Sequence, residues 1–377
     1  MKIVVAPDSY KESLSALDVA TEIEAGIKLA LPDAEVVKVP VADGGEGTVQ
    51  AMVDATGGRY ESRTVTGPLG QPVSARFALL GDGATAVVEM AEASGLHLVT
   101  PDQRDPRVTT TFGTGELILA ALDMGVTHLI LGLGGSATND GGAGMVQALG
   151  ARLLDATGTP LPPGGAALAQ LASIDIRDLD HRLGQLTVEV ACDVDNPLCG
   201  AKGASAVFGP QKGASDDVVA ELDAALAHYA ECLLHQLGQD VAAVPGAGAA
   251  GGMGAAALAF LGATLRPGIE IVLDTVGLDE QLVGADLVIT GEGRIDSQTI
   301  HGKTPMGVAK RAKALDIPVI GLAGSLSDDV DVVHAHGIDA VFSVLPRPLT
   351  LEEALVNARP FLRQAARNVA ALYMLRR

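Results

Sequence analysis

The sequence has few aromatic residues and little positive charge. Tryptophan is absent, aromatic residues make up 3% of the chain, and 26 lysines and arginines stand against 46 aspartates and glutamates, which gives a formal charge of −20. A negative field repels nucleic acid and anionic lipid alike. Single-stranded bases would also find few aromatic rings on which to stack. We therefore expect no nucleic acid partner and no membrane partner.

Long apolar runs and cysteine frameworks are also missing. No uninterrupted apolar stretch reaches the roughly 20 residues of a membrane-spanning helix, and the run at residues 3–6 is too short for a signal peptide. The three cysteines have no C-x-x-C spacing, and the eight histidines show no H-E-x-x-H pattern. We expect a cytoplasmic protein with neither a disulfide framework nor a histidine-based metal site.

The two ends of the chain share one pattern. Residues 3–6 predict a buried strand, Ser15 is a predicted helix N-cap, and residues 35–41 predict a second strand. Alternation of strand and helix predicts a parallel sheet. The pattern returns near residue 285, with predicted strands at 286–290, 318–322 and 339–345 and helices at 305–315 and 329–336.

The middle of the chain differs. Residues 60–66, 73–80 and 84–90 read as strands separated by Gly/Pro turns, which is typical of an antiparallel meander. Further strands at 128–133 and 187–191 and a helix at 216–237 follow. The prediction is an α/β protein with a discontinuous, doubly wound parallel-sheet domain of the flavodoxin or Rossmann kind, residues 1–60 plus 285–377. A mixed α/β domain, residues 61–284, is inserted in it, with a ligand cleft between the two.

Glycine is abundant: it makes up 46 of the 377 residues, about 12%, whereas its usual share is about 7%. The glycines cluster after apolar runs. The first such polar loop carries Asp8, Ser9 and Lys11. Lys11 could hold a phosphate or carboxylate near the start of the next helix, where backbone amides also favour anions. A solvated loop lysine is the alternative.

The second loop, residues 43–48, places Asp43 and Glu46 beside glycine amides. Hard carboxylate oxygens and retained waters suit Mg²⁺. A turn capped by an aspartate is the alternative.

The third loop, residues 132–142, fits the G-x-G-x-x-A dinucleotide fingerprint, with Asp155 near the distance at which ribose is usually held. An NAD-dependent oxidoreductase is therefore an alternative function. Residues 138–142 are poor helix formers, however, so we predict instead a phosphate-wrapping loop that opens a helix at 143–149. Its predicted nucleotide-binding residues are Gly134, Gly135, Ser136, Thr138, Asn139, Gly141 and Gly142. A tight structural turn is the alternative.

The fourth segment, residues 290–305, ends in Gly302-Lys303-Thr304, like the end of a Walker A motif. Ser297 stands where the first glycine of that motif belongs, so this is not a standard phosphate loop. Thr304 and Pro305 predict an N-cap and first helical residue. Charges after a buried strand need partners or a ligand, and structural ion pairing is the alternative to a functional cluster. The charged residues of this segment are Glu292, Arg294, Asp296 and Lys303.

The fifth segment, residues 192–198, closes the strand at 187–191. Asp193, held by an Asn-Pro turn, could accept a proton from a substrate hydroxyl. A capping aspartate is the alternative.

Together these segments resemble the glycerate kinase family, in its class I, two-domain bacterial type. The likeness runs through residues 6–11, 42–48, 134–144, 192–198 and 291–296, in family order and at family-like separations. The resemblance implies transfer of the ATP γ-phosphate to D-glycerate, giving 2-phosphoglycerate in most members, and it implies Mg²⁺. It also implies a flavodoxin-like domain that is discontinuous in sequence.

The resulting hypothesis assigns a role to each segment. Lys11, Arg294 and Lys303 hold the glycerate carboxylate and the transferring phosphoryl, with Asp8 and Ser9 also at the substrate. The metal falls to Asp43, Glu46 or Asp296, and Asp193 takes the hydroxyl proton. A non-catalytic sugar-acid-binding protein is a second alternative.

Overall fold

The computed structural model describes residues 1–45 and 47–375, and it separates the chain into two compact units. The first unit joins Met1–Gly58 to Pro267–Arg377, and the second is Arg59–Arg266. Each unit has its own sheet and its own hydrophobic core.

The helices and strands, in chain order, are as follows. The first unit begins with β1 (Lys2–Pro7), α1 (Ala16–Ala30), β2 (Glu35–Lys38) and α2 (Thr48–Thr56). The second unit contains β3 (Arg59–Thr66), β4 (Pro72–Leu79), β5 (Thr85–Glu89), α3 (Ala91–Ser94), α4 (Phe112–Asp123), β6 (His128–Gly132), α5 (Ala143–Ala148), β7 (Arg152–Leu154), β8 (Ser173–Asp175), β9 (Thr187–Ala191), α6 (Ala204–Phe208), α7 (Asp216–Leu237), α8 (Ala249–Leu261) and β10 (Thr264–Arg266). The first unit resumes with α9 (Gly268–Thr275), α10 (Leu278–Leu282), β11 (Leu287–Ile295), α11 (Thr304–Lys313), β12 (Val319–Leu326), β13 (Ala340–Ser343), α12 (Leu351–Val356) and α13 (Ala358–Met374). Short 3₁₀ helices span Leu96–Leu98, Pro101–Gln103, Gly165–Gln170, His181–Gln185, Pro210–Lys212 and Val330–His336.

The first unit is built on a five-stranded parallel sheet with the order β2-β1-β11-β12-β13. From β1 the chain continues to β2 on one side, and it returns at β11 on the other. The strand order therefore reverses between β1 and β11, as in flavodoxin-like sheets, and such a switch point is where open α/β sheets bind ligands. The predicted α/β fold class with a doubly wound sheet is confirmed.

The sequence explains why this sheet is covered on both faces. Residues 3–6 are fully buried, because a central parallel strand meets helices on each side. Ile3 and Val5 pack with α1 and α13, while α9 and α11 pack together elsewhere in the unit. Ser15 caps α1 by accepting a hydrogen bond from the Asp18 amide, as predicted.

Strand β11 is longer than the sequence predicts. The predicted strand ends at Thr290, yet the observed strand continues to Ile295 and stays paired with β12. Glycine makes this possible, because a Cβ at Gly291 would overlap the carbonyl oxygen of Leu322. The predicted strand at 286–290 is therefore too short at its carboxyl end. Strand alternation instead places Glu292 and Arg294 on one face.

The chain re-enters the first unit at Pro267, whereas the sequence predicts a boundary near residue 285. Helix α9 contacts α2 and α11, and Gly307 of α11 leaves room for Ile269. The sequence pattern missed this because residues 267–285 contain no strand, and the strands carried the domain prediction.

The second unit has a six-stranded mixed sheet with the order β10-β9-β6-β5-β4-β3. The predicted meander holds for β3, β4 and β5, which pair antiparallel, but β5 then pairs parallel with β6. Helix α7 has the predicted bounds, with a Ser215 cap and a left-handed Gly238 at its end. Across the described residues, none of the helices combines the length and apolarity that crossing a bilayer would require.

Candidate functional site

A pocket of about 470 Å³ lies in the first unit, at the carboxyl ends of its strands. Strand β1 stops at Pro7, opposite Gly291, whereas β11 runs on to Ile295. Residues 8–13 therefore lie beside the part of β11 that extends past the end of β1, and together they form the polar half of the pocket. This half is built at the switch point of the sheet, where a ligand site is expected.

Asp8 joins the end of β1 to the start of α11. Its carboxylate accepts a hydrogen bond from the Ser9 amide at 2.6 Å and another from Thr304 Oγ1 at 2.6 Å. Asp8 is 8% exposed, and burial raises the pKa of its carboxyl, with the negative charge of Asp43 adding to the rise. Thr304 is thus the first helical residue and Lys303 the N-cap, so the predicted Thr304 cap is off by one position.

Glu292 and Lys303 form the central ion pair of the pocket. Lys303 Nζ lies 3.3 Å from Glu292 Oε2, and Thr299 Oγ1 donates to Glu292 Oε1 at 2.7 Å. Burial raises the pKa of the Glu292 carboxyl, while Thr299 and Lys303 oppose that rise. The Walker-like lysine is therefore held by a carboxylate while its side chain still borders the pocket.

Asp296 and Arg294 lie next to this pair. Arg294 Nε is 3.3 Å from Asp296 Oδ2, and Lys303 Nζ is 3.9 Å from Asp296 Oδ1. The Arg294 side chain is 65% exposed, so the ion pair is weak and leaves most of the guanidinium accessible to a ligand.

Lys11 stands at the rim of the pocket. It is exposed, and none of the ion pairs among the described residues includes it. The adjacent turn is shaped by Glu12, whose φ of 66° is in the left-handed region. Tyr10 anchors the turn from inside, because its hydroxyl donates to the Leu322 carbonyl at 2.9 Å. A rigid turn thus presents a free ammonium group to the pocket.

Asp43 also lines the pocket, and one of its carboxylate oxygens accepts from the Gly45 amide at 3.0 Å. Glu46, the other metal ligand predicted in this loop, lies outside the described residues. In the part of the chain that is described, His, Cys, Asp and Glu nowhere form a group of three that could hold a metal.

The charge balance of the pocket is negative. Among the described residues, five carboxylates and three cations line it. Two of the carboxyls, Asp8 and Glu292, have raised pKa values because of burial. An anionic ligand here would need either the protonated forms of these groups or an accompanying cation.

The predicted phosphate-wrapping loop lies in the second unit, between β6 and α5. At its tip Gly134 and Gly135 are exposed. Ser136 is 6% exposed, and Thr138 and Asn139 are fully buried. Gly141 and Gly142 are also buried, and both have positive φ. The assignment to nucleotide stays a prediction, and the tip glycines are the part of the loop accessible from outside the second unit.

The base of this loop is held by two buried charges. Asp140 accepts hydrogen bonds from Thr111 and from the amides of Gly142 and Gly144. Lys212, which is 1% exposed, donates to the Thr138 carbonyl at 2.6 Å. Neither role is predicted by the sequence, since nothing in the local pattern shows that Lys212 lies beneath this loop.

Asp193 lies in an exposed segment that follows β9. The neighbouring Asn196 side chain donates to the Lys202 carbonyl at 2.8 Å, and the Gly248 amide donates to the Asn196 carbonyl. These two hydrogen bonds therefore hold the predicted turn in place at Asn196.

Comparison with known proteins fits this architecture. The model of the glycerate kinase family matches residues 3–374. The chain is 60% identical to the glycerate kinase of Bacillus subtilis (strain 168) and 61% identical to the glycerate 2-kinase of Escherichia coli (strain K12). Each match covers 98% of this chain and 97% of the relative. This chain belongs to the glycerate kinase family.

The fold agrees with a solved member of the glycerate kinase family. The crystal structure assigned as glycerate kinase 2 from Salmonella typhimurium LT2 is 61% identical, with a TM-score of 0.92. The match covers 100% of this chain and 98% of the chain in the solved structure. The family resemblance predicted from the sequence is therefore confirmed.

The oxidoreductase alternative is wrong. A dinucleotide fingerprint requires that the strand preceding the acidic residue lie beside the first strand. Here β7 forms a separate antiparallel hairpin with β8, while β6 lies between β5 and β9. Asp155 accepts from the Thr157 and Thr159 amides and so forms part of a turn.

Of the predicted site residues, seven come together in the pocket of the glycerate kinase fold: Asp8, Ser9, Lys11, Asp43, Arg294, Asp296 and Lys303. The pocket also has an apolar half that the sequence analysis missed, formed by Val344, Leu345, Leu351, Ala354, Leu355 and Ala358. The capping box of Thr350 and Glu353 is a sequence signal for the helix that carries part of it.

Proposed function

We propose that this chain transfers the γ-phosphate of ATP to D-glycerate and releases 2-phosphoglycerate. The observation that carries the proposal is the meeting of Lys11, Arg294 and Lys303 in one pocket at the switch point of the first unit, in a chain of the glycerate kinase family. Phosphoryl transfer depends mainly on positioning and charge neutralisation, and this set of residues supplies both. Because the reaction consumes ATP, we propose the cytoplasm as its compartment.

Each cation has a distinct part in the proposal. Lys303, fixed between Glu292 and Asp296, neutralises charge on the transferring phosphoryl group. Arg294 presents a largely exposed planar fork that suits bidentate binding of a carboxylate or phosphate. Lys11 adds a mobile ammonium at the rim and draws anions in against the negative field of the whole molecule.

The residues around the pocket fit a Mg²⁺ ion. Mg²⁺ commonly binds through one or two carboxylates, with waters and substrate phosphates completing its shell. Asp43 and Asp296 offer such oxygens at the pocket, and the net negative lining would be relieved by a cation. When bound, the ion would neutralise charge on the β- and γ-phosphates. We propose these two residues as its protein ligands.

In the second unit, Asp193 is proposed to accept the proton of the attacking glycerate hydroxyl. The exposed amides at Gly134 and Gly135 are proposed to donate to nucleotide phosphates. Both assignments rest on residue type and exposure.

The proposed function is tested by a coupled ADP-release assay across small hydroxy acids, with and without Mg²⁺. We expect turnover with D-glycerate that depends on Mg²⁺, and the position of the product phosphate is read by NMR. Turnover restricted to another hydroxy acid, or a phosphate on the 3-hydroxyl, would contradict the proposal.

A further inference from the structure

The pocket of the first unit changes polarity along the edge of the sheet. At β1 and β11 its lining is charged, with Asp8, Arg294 and Lys303. Beyond β12 and β13 the lining is aliphatic. Val344 follows β13 and is 5% exposed, and its amide donates to the Ala323 carbonyl at 2.8 Å, which fixes the apolar half against the end of β12.

The rest of the apolar half comes from the last two helices. Leu351, Ala354 and Leu355 lie on α12, and Ala358 begins α13. Ala358 is 7% exposed, whereas Leu351 is 72% exposed. The Leu351 side chain is exposed to water at the mouth of the pocket. A ligand that covers it removes apolar surface from water, which lowers the free energy of the complex.

A three-carbon hydroxy acid does not explain this half. Every carbon of glycerate carries oxygen, so the acid has no apolar face to place against four valine or leucine side chains and two alanine methyls. The cavity of about 470 Å³ also falls in the size class of pockets that enclose drug-sized ligands. ATP, the other proposed substrate, does have flat apolar faces, which are those of its heteroaromatic base.

Between the two halves lie Gly324 and Ser325 on β12. Ser325 is paired in register with Arg294 of β11, so one strand separates the charged residues from the aliphatic ones. Gly324 keeps this boundary narrow, because a Cβ there would lie 2.6 Å from the Gly293 carbonyl oxygen. A ligand with an apolar head and an anionic tail matches this order.

We propose that the apolar half binds the base of the nucleoside triphosphate, with the phosphates extending along β12 and β11 toward Arg294 and Lys303. The proposal rests on the proposed kinase function. It adds a nucleoside subsite that lies wholly within the first unit.

The test compares two substitutions on the same helix. Leu351→Asp places a charge in the apolar half. Val356→Asp is the matched control, because Val356 is 78% exposed and does not line the pocket. Binding of ADP and of inorganic tripolyphosphate is measured by calorimetry, and the KM for D-glycerate by the coupled assay. In Leu351→Asp we expect the Kd for ADP to rise about tenfold or more, with tripolyphosphate affinity and the KM for glycerate unchanged. Val356→Asp should leave all three at wild-type values.

A second variant tests the same subsite by reducing the volume of the apolar half. Ala354→Phe fills the apolar half, and we expect it to weaken ADP in the same way while sparing tripolyphosphate. Wild-type affinity for ADP in both variants would overturn the subsite, as would a rise confined to the KM for glycerate. The proposed function fails separately, if the wild-type protein binds ADP but does not phosphorylate glycerate.

Discussion

Lys303 shows how one side chain can serve both structure and chemistry. Its ammonium bridges Glu292 and Asp296, two carboxylates on a segment that the strand holds in place. The ion pair fixes the lysine with little freedom, so a phosphate meeting it loses less conformational entropy than it would on binding a free lysine.

We predict that Lys303→Ala lowers kcat by about 10²–10³, the range seen when one preorganised charge-stabilising donor is removed. Steady-state kinetics measures it. Lys310→Ala is the control, because Lys310 is exposed, pairs with Glu270 and lies outside the pocket. Equal kinetics in the two variants would make the role of Lys303 structural.

Asp193→Asn tests the proposed base in the second unit. Removing a general base costs about 10²–10⁴ in rate, so we expect kcat to fall by that amount with the KM for ATP nearly unchanged. Asp195→Asn, in the same exposed segment, serves as the control. A wild-type kcat in Asp193→Asn would remove Asp193 from the mechanism.

Lys212 should make stability depend on pH in a defined direction. Burial lowers the pKa of its ammonium to about 7, although Asp140 opposes that shift. Between that value and the ordinary pKa of 10.5, the folded protein has lost a proton that the unfolded chain keeps. Stability therefore rises with pH across this window.

Lys212→Met removes this dependence. Urea unfolding at several pH values is the measurement, and we expect the difference in midpoint, wild type minus variant, to increase from about pH 7 toward pH 10. Parallel pH profiles for the two proteins would show instead that Lys212 keeps its proton in the folded protein.

At the scale of an element, α1 and α13 pack closely in the first unit. Gly26 lies in the interior of α1 and is buried. A Cβ at this position would overlap the Arg363 carbonyl oxygen and lie 2.8 Å from Ala366 Cβ. Helix propensity alone favours alanine over glycine by about 1 kcal/mol. At Gly26, therefore, helix propensity would stabilise an alanine, whereas the contact with α13 would destabilise it.

We predict that contact decides, and that Gly26→Ala destabilises the protein by about 1–3 kcal/mol, as overpacking does. Chemical denaturation gives the value. Ala25→Gly, one position away on α1, is a comparison in which helix propensity is the main change and the loss should be about 1 kcal/mol. A stabilised Gly26→Ala variant would show that the two helices can separate without cost.

Some elements could be predicted from their own residues. Helices α1 and α7 have caps at Ser15 and Ser215 and regular apolar stripes, so local chemistry decides their ends. The extension of β11 through Gly291 and Arg294 could not be predicted in this way, because it depends on pairing with β12. The neighbour strand supplies hydrogen bonds that a polar, glycine-rich segment would otherwise make with water.

At the scale of the whole molecule, the two units have separate cores. The large cluster built around Phe77, Leu131 and Tyr229 draws only on the second unit, and the cluster built around Ile23 and Leu322 draws only on the first. Residues 59–266 form one uninterrupted stretch, long enough to bury a core of their own.

We predict that residues 59–266, expressed alone, fold and unfold cooperatively. Circular dichroism during thermal unfolding and dispersion of amide NMR signals are the measurements. A gradual melt without a defined midpoint would show that the second unit needs the first one to fold.

The sequence by itself determined the family, the α/β class and most of the polar half of the pocket, because strand-end loops with glycine and charge occupy recognisable local patterns. Only the tertiary structure decided that Asp8 bonds Thr304, that Lys303 bonds Glu292, and that α12 brings aliphatic side chains to the same pocket. These contacts join residues far apart in the chain or on different elements. Local pattern determines which element a residue enters, whereas the packing of elements determines which side chains meet.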